Sequence, residues 1–177
     1  LKAFKVVPAT AKDLDVLVRQ RHMMFEEMKR PTEEEHKIGD ESYRSWVRAG
    51  MRSGRLRCLL VRNSEGEAVA GGCVWLREIH PAPGRPAGLT PYLMSMYTEP
   101  AYRRKGLATL LLNEAMDWAR RQGYARLSLH ASEAGRKVYA KIGFERSWEM
   151  RVDLTKPTAG KKRPSTAARA RSSRRAA

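Results

Sequence analysis

Three cations in a row, Arg103, Arg104 and Lys105, stand directly before Gly106 and a run whose apolar residues repeat at helical spacing. The first turn of a helix leaves its N–H groups unpaired and carries partial positive charge. A glycine at its mouth removes the Cβ that would hold an anion away from that backbone, and the neighbouring cations add charge-assisted contacts. This is the chemistry of holding a pyrophosphate. The same turn also reads as plain solvated cations, and neither G-x-x-x-x-G-K-S/T nor G-x-G-x-x-G is present. Downstream, residues 132–144 read SEAGRKVYAKIGF, a helical stretch carrying Tyr139 and closed by Gly143-Phe144. A phenol there can donate a hydrogen bond to a reacting group or simply pack its ring in a core.

The first segment, Arg103-Arg104-Lys105-Gly106-Leu107-Ala108, resembles the cofactor motif of the GNAT superfamily of acetyl-CoA-dependent N-acetyltransferases: Gln or Arg, two residues, Gly, one residue, Gly or Ala. Tyr139 with Gly143-Phe144 resembles the family's second signature, and both lie in the expected order across residues 92–144. The resemblance implies an α/β GNAT fold: a mixed central sheet whose two splayed parallel strands, here residues 92–98 and 126–129, are flanked by about four helices. It implies acetyl-CoA as co-substrate, its pyrophosphate at Arg103, Arg104, Lys105, Gly106, Leu107, Ala108 and Thr109. The backbone of Met96, Tyr97 and Thr98 would pair with the pantetheine. Ser132 stands where relatives often carry an Asn that contacts the cofactor. Tyr139 matches the proton donor to the departing thiolate. With a phenol near 10 and a thiol near 8.5, full transfer is uphill by roughly 2 kcal/mol, so a hydrogen bond that strengthens as charge gathers on sulfur is the easier role. The implied reaction is direct attack of a primary amine on the thioester, with no covalent enzyme intermediate and no metal.

A base is harder to name. An amine with a pKa near 10.4 costs roughly 4–5 kcal/mol to present neutral at pH 7. Some relatives place a glutamate on a splayed strand, where this chain has Tyr92 and Leu127. Glu99 and His130 are candidates, each also readable as structural. The family resemblance places the acceptor against residues 23–40, where Glu26, Glu27, Glu33, Glu34 and Glu35 would attract a cationic amine or form a solvated face. Residues 80–88 and the rings of Trp75, Tyr92 and Trp148 are further candidates for its lining. The acceptor itself is not written in the sequence.

These groups need elements to position them. A strand at residues 4–7 leads to a helix begun by the Thr10–Asp13 pair, with Leu14, Leu17, Val18, Arg21, Met24, Phe25 and Met28 at helical spacing. Pro31 ends it, residues 33–40 read as an exposed acidic link, and a helix follows over residues 43–52. Residues 56–61 and 68–76 read as a hairpin and residues 80–88 as a loop. After the strand at 92–98, a helix spans 106–121, with Gly123 at its C-cap. A short strand at 126–129, a Ser132-capped helix and one or two strands within 144–154 complete a domain over residues 1–154.

Residues 155–177 hold eight basic residues and no acid, half of the formal net charge of +16, and read as a mobile tail. Lacking interleaved aromatics, such a tail would bind nucleic acid or a ribosome only weakly, non-specifically and as an accessory property. The composition, 42% hydrophobic and 31% charged, is that of a globular protein. No apolar run suits a bilayer or a secretory signal, so no membrane partner and a cytoplasmic location are expected. Cys58 and Cys73 read as buried strand thiols. Two rivals stay open, a non-catalytic acetyl-CoA-binding module and an acetyltransferase with tail-borne nucleic-acid binding, as does homodimerisation.

Overall fold

A computed structural model describes residues 3–28, 32–83 and 86–151. Leu1–Phe144 makes one compact unit, and Glu145–Ala177 a second, described only over residues 145–151. The expected tail at 155–177 lies outside the described residues.

Five strands form one sheet in the order β1 (Lys5–Pro8), β2 (Leu56–Arg62), β3 (Ala68–Ile79), β4 (Gly88–Thr98) and β5 (Ser128–Leu129). The first three pairings are antiparallel and β4–β5 is parallel, so the sheet is mixed. Four helices accompany it: α1 (Leu14–Glu27), α2 (Glu33–Arg52), α3 (Leu107–Arg121) and α4 (Glu133–Ile142). The β2–β3 turn is set by Asn63, whose side chain accepts from the amides of Glu65 and Glu67.

Alternation along the strands sends side chains to two buried layers. Leu59, Val61 and Val74 pack with Leu107, Leu111, Leu112 and Ala115 of α3. Cys58, Leu60 and Cys73 pack with Leu14, Leu17 and Val18 of α1 and Tyr43 and Val47 of α2. Each fully buried leucine contributes about 1.5–3 kcal/mol, so α3 is held mainly by its 107-111-112 stripe.

Three elements differ from the sequence expectation. Residues 33–40 are not an acidic link but the first turns of α2. Thr32 caps the helix and Glu35 reaches back to the Thr32 amide at 2.7 Å, so the reciprocal box outweighs the acidic run. β4 starts at Gly88, which shortens the loop, because Gly88–Pro91 finds Leu76–Ile79 as ladder partners. Residues 144–151 form no strand: no ladder partner takes them up, and Trp148 and Met150 are 86% and 92% exposed. No helix of the described residues is long and apolar enough to cross a membrane.

Candidate functional site

The site begins with an irregularity in β4. Cys73 faces Met94 and Gly71 faces Tyr97, so Ser95 and Met96 together oppose Gly72 alone. Ser95 absorbs the extra residue in the left-handed region, at φ 54°. This is a β-bulge, which bends its strand and reverses the face on which later side chains emerge. Accordingly Met94 borders the α1–α2 layer and Met96 the α3 layer, although two residues apart they would normally share a face. β4 pairs with β5 only at Tyr92–Ser128 and Leu93–Leu129. From Met94 onward its backbone has no strand partner on that side among the described residues, which leaves Met96, Tyr97 and Thr98 along an open edge.

Beyond Thr98 a 3-10 turn over Pro100–Tyr102 leads into the cationic segment. Arg104 and Gly106 both adopt left-handed backbone, at φ 61° and 79°. Such a turn directs successive N–H groups into one concavity. Gly106 is the N-cap residue of α3 and supplies no side-chain cap, so the helix start is left for an external acceptor. Leu107 is buried in the core and offers the site only its backbone; Ala108 is half-buried and Thr109 exposed.

The three cations have different surroundings. Arg103 is engaged: its Nε donates to the Thr98 carbonyl at 3.0 Å, and its guanidinium pairs with Glu27 of α1. The bond to Glu27 raises its pKa above the ordinary arginine value. Lys105 Nζ lies 4.8 Å from the centroid of Tyr102, and Arg104 is exposed. The Tyr97 hydroxyl, beside Arg103, is a buried polar atom without a hydrogen-bond partner among the described residues. The left-handed Gly106, the uncapped α3 start and the open edge of β4 together fit a long ligand with an anionic end and an amide-bearing arm.

Tyr139 projects from α4 onto the α3 layer, its ring edge-on to Phe144 at 5.9 Å between centroids. Burial raises its pKa, so the phenol keeps its proton at neutral pH. Gly135 makes room for it, since a Cβ at that position would meet Tyr139 Cε2 at 2.7 Å. Ser132 caps α4: its Oγ accepts from the Gly135 amide at 3.2 Å, which leaves its hydroxyl hydrogen to donate elsewhere.

The candidate base Glu99 is paired with Arg19 of α1 at 2.6 Å. His130 directly follows β5. Trp75 and Tyr92 stand opposite each other in the β3–β4 ladder, with Arg77 3.8 Å over the Tyr92 ring. Four groups went unread in the sequence as site residues. Tyr43 is buried and donates to Ser95 Oγ at 3.3 Å, touching the bulge itself. Arg21 lies over the Tyr43 ring, and His22 Nδ1 meets Asp40 at 2.7 Å. Arg21 carries only the signal of its place on a helical stripe and Asp40 only that of the acidic run 33–40, and neither says what is met across the helices.

Residues 21–144 match the model of the acetyltransferase (GNAT) family. An uncharacterized N-acetyltransferase of Bacillus subtilis, YsnE, is 34% identical over 86 residues, covering 46% of this chain and 52% of that protein. The chain thus spans about half the length of this curated relative. Among solved structures, a GCN5-related N-acetyltransferase from Ralstonia eutropha is similar with a TM-score of 0.78 and 25% identity, over 86% of this chain and 99% of that one. A predicted acetyltransferase with acetyl-CoA from Clostridium acetobutylicum gives a TM-score of 0.76 at 24% identity, over 86% and 97%.

Proposed function

Because the chain belongs to the acetyltransferase (GNAT) family, we propose that it transfers the acetyl group of acetyl-CoA directly to an amine, using the β4 edge, the turn at Arg103–Gly106 and Tyr139. The observation that carries this reading is the uncapped, left-handed start of α3, reached through one 3-10 turn from the open edge of β4. When bound, acetyl-CoA supplies the activated acetyl thioester; the chain supplies position, charge and a hydrogen bond to the leaving sulfur.

The amides of residues 104–109 hold the pyrophosphate, with Arg104 and Lys105 adding charge. Arg103 joins them with the guanidinium donors that Thr98 and Glu27 leave over. The backbone of Met96, Tyr97 and Thr98 pairs with the pantetheine amides as a neighbouring strand would, which fixes the reacting carbonyl by direction rather than by side chain. Tyr139 donates a hydrogen bond toward the thiolate. Its raised pKa makes full proton transfer costlier than for an ordinary phenol, so stabilisation of developing charge is its better role. Ser132 acts indirectly, by fixing the helix that carries Tyr139. A direct route also agrees with the two cysteines, which lie buried against one another, 2.9 Å apart, in the layer between the sheet and α1–α2.

The test is CoA release by the full chain with acetyl-CoA and a panel of amines, amino acids, polyamines and peptides, the acetylated product being weighed by mass spectrometry. A product heavier by one acetyl group is expected for at least one acceptor class. Failure of the chain to bind acetyl-CoA in a calorimetric titration would overturn the reading.

A further inference from the structure

We infer that the acceptor carries a carboxylate beside its amine and that Arg21 of α1 is the residue that binds it, an assignment that rests on the acetyltransfer reading and names its substrate class. Arg21 is half-buried on the side of α1 turned toward α2. Its guanidinium carbon lies 4.6 Å from the Phe25 ring centroid and 4.3 Å from that of Tyr43. The Tyr43 hydroxyl reaches Ser95, where β4 parts from β5. One tyrosine therefore separates the guanidinium from the opening in which the acetyl group is to be presented.

Several of the surrounding charges are paired with one another. Arg19 pairs with Glu99, Arg103 with Glu27, Arg44 with Asp15 and Arg62 with Asp13. Asp40 bears electrostatically on Arg21, but its carboxylate is hydrogen-bonded to His22, which stacks on His36. Arg21 itself has no ion pair or hydrogen bond among the described residues. Its partial burial lowers its pKa. The aromatic rings cover its faces and leave the rim of N–H donors for a ligand. A planar fork of donors suits a carboxylate held by two parallel bonds. Coenzyme A is not the anion required, since its diphosphate belongs to the turn before α3.

The decisive experiment compares α-amino acids, each with its own carboxamide and its decarboxylated amine, as acceptors for the full chain with acetyl-CoA. Rates are referred to the concentration of neutral amine, because the three forms differ in amine pKa. The free acid is expected to exceed both analogues in kcat/KM by about tenfold or more, chiefly through KM. Arg21→Met should remove that advantage by slowing the acid alone, and Arg21→Lys should keep part of it. Equal rates for acid and carboxamide would overturn the inference, as would a loss in Arg21→Met shared equally by all three acceptors. Should the variants fold poorly, the wild-type comparison alone decides. A titration with acetyl-CoA separates the failures: binding without carboxylate preference sinks only this assignment, whereas no binding sinks the acetyltransfer reading as well.

Discussion

Helices α2 and α3 begin in opposite ways. At the start of α2, Thr32 and Glu35 satisfy each other's amides, with bonds of 3.3 Å and 2.7 Å. At the start of α3, Gly106 sits in left-handed backbone and offers no side chain at all. A polar N-cap stabilises a helix by about 1 kcal/mol, so α3 forgoes something that α2 takes. Under the proposed function, the difference separates a helix start that serves the fold from one that serves a ligand. A closed start is chemically silent, and an open one keeps its positive end available to an anion.

The comparison breaks most severely if the open start is blocked. Gly106→Val puts a branched side chain in left-handed backbone, which costs roughly 1–2 kcal/mol before any clash with phosphate. Acetyl-CoA affinity is expected to fall about a hundredfold, measured by calorimetric titration; an unchanged Kd would mean the turn holds no diphosphate. Tyr139→Phe acts on the product of the site rather than its mouth. Turnover should drop at least about tenfold while the Kd for acetyl-CoA stays near that of the parent, and equal turnover would take Tyr139 out of the reaction. Because burial raises the Tyr139 pKa, its protonated form persists as pH rises through the ordinary phenol value near 10. No loss of kcat traceable to this residue is therefore expected below about pH 10. The smallest change is Thr32→Ala. It should lower unfolding stability by about 1 kcal/mol, read by urea titration, and leave acetyl-CoA binding alone; weakened binding would show that the two helix starts are not separate in purpose.

Much of the α3 side was legible in the sequence because it rests on backbone and periodicity. Leu107, Leu111 and Ala115 of the helical repeat, the glycine before it and Tyr139 ahead of Gly143-Phe144 announce themselves in type and spacing. The α2 start was legible too, in Thr32 and Glu35, but the acidic run 33–35 drew attention to charge instead of capping. The rest depended on contacts across long separations. Arg103 meets a carboxylate 76 positions earlier, and Glu99 meets Arg19 across 80, which no local pattern encodes. The bulge at Ser95 had no marker either, since serine is not the residue that left-handed backbone ordinarily selects.

That bulge has an arithmetic consequence. Were β4 one residue shorter at Ser95, Met96 would follow Met94 directly, face Gly72 and keep to the α3 layer by plain alternation, and the strand would have no local reason to veer from β5. The cleft is thus written in chain length rather than in chemistry, as a single surplus residue. In a comparison of relatives it would surface in the placement of a gap, while the amino acid occupying the position could drift freely among small side chains.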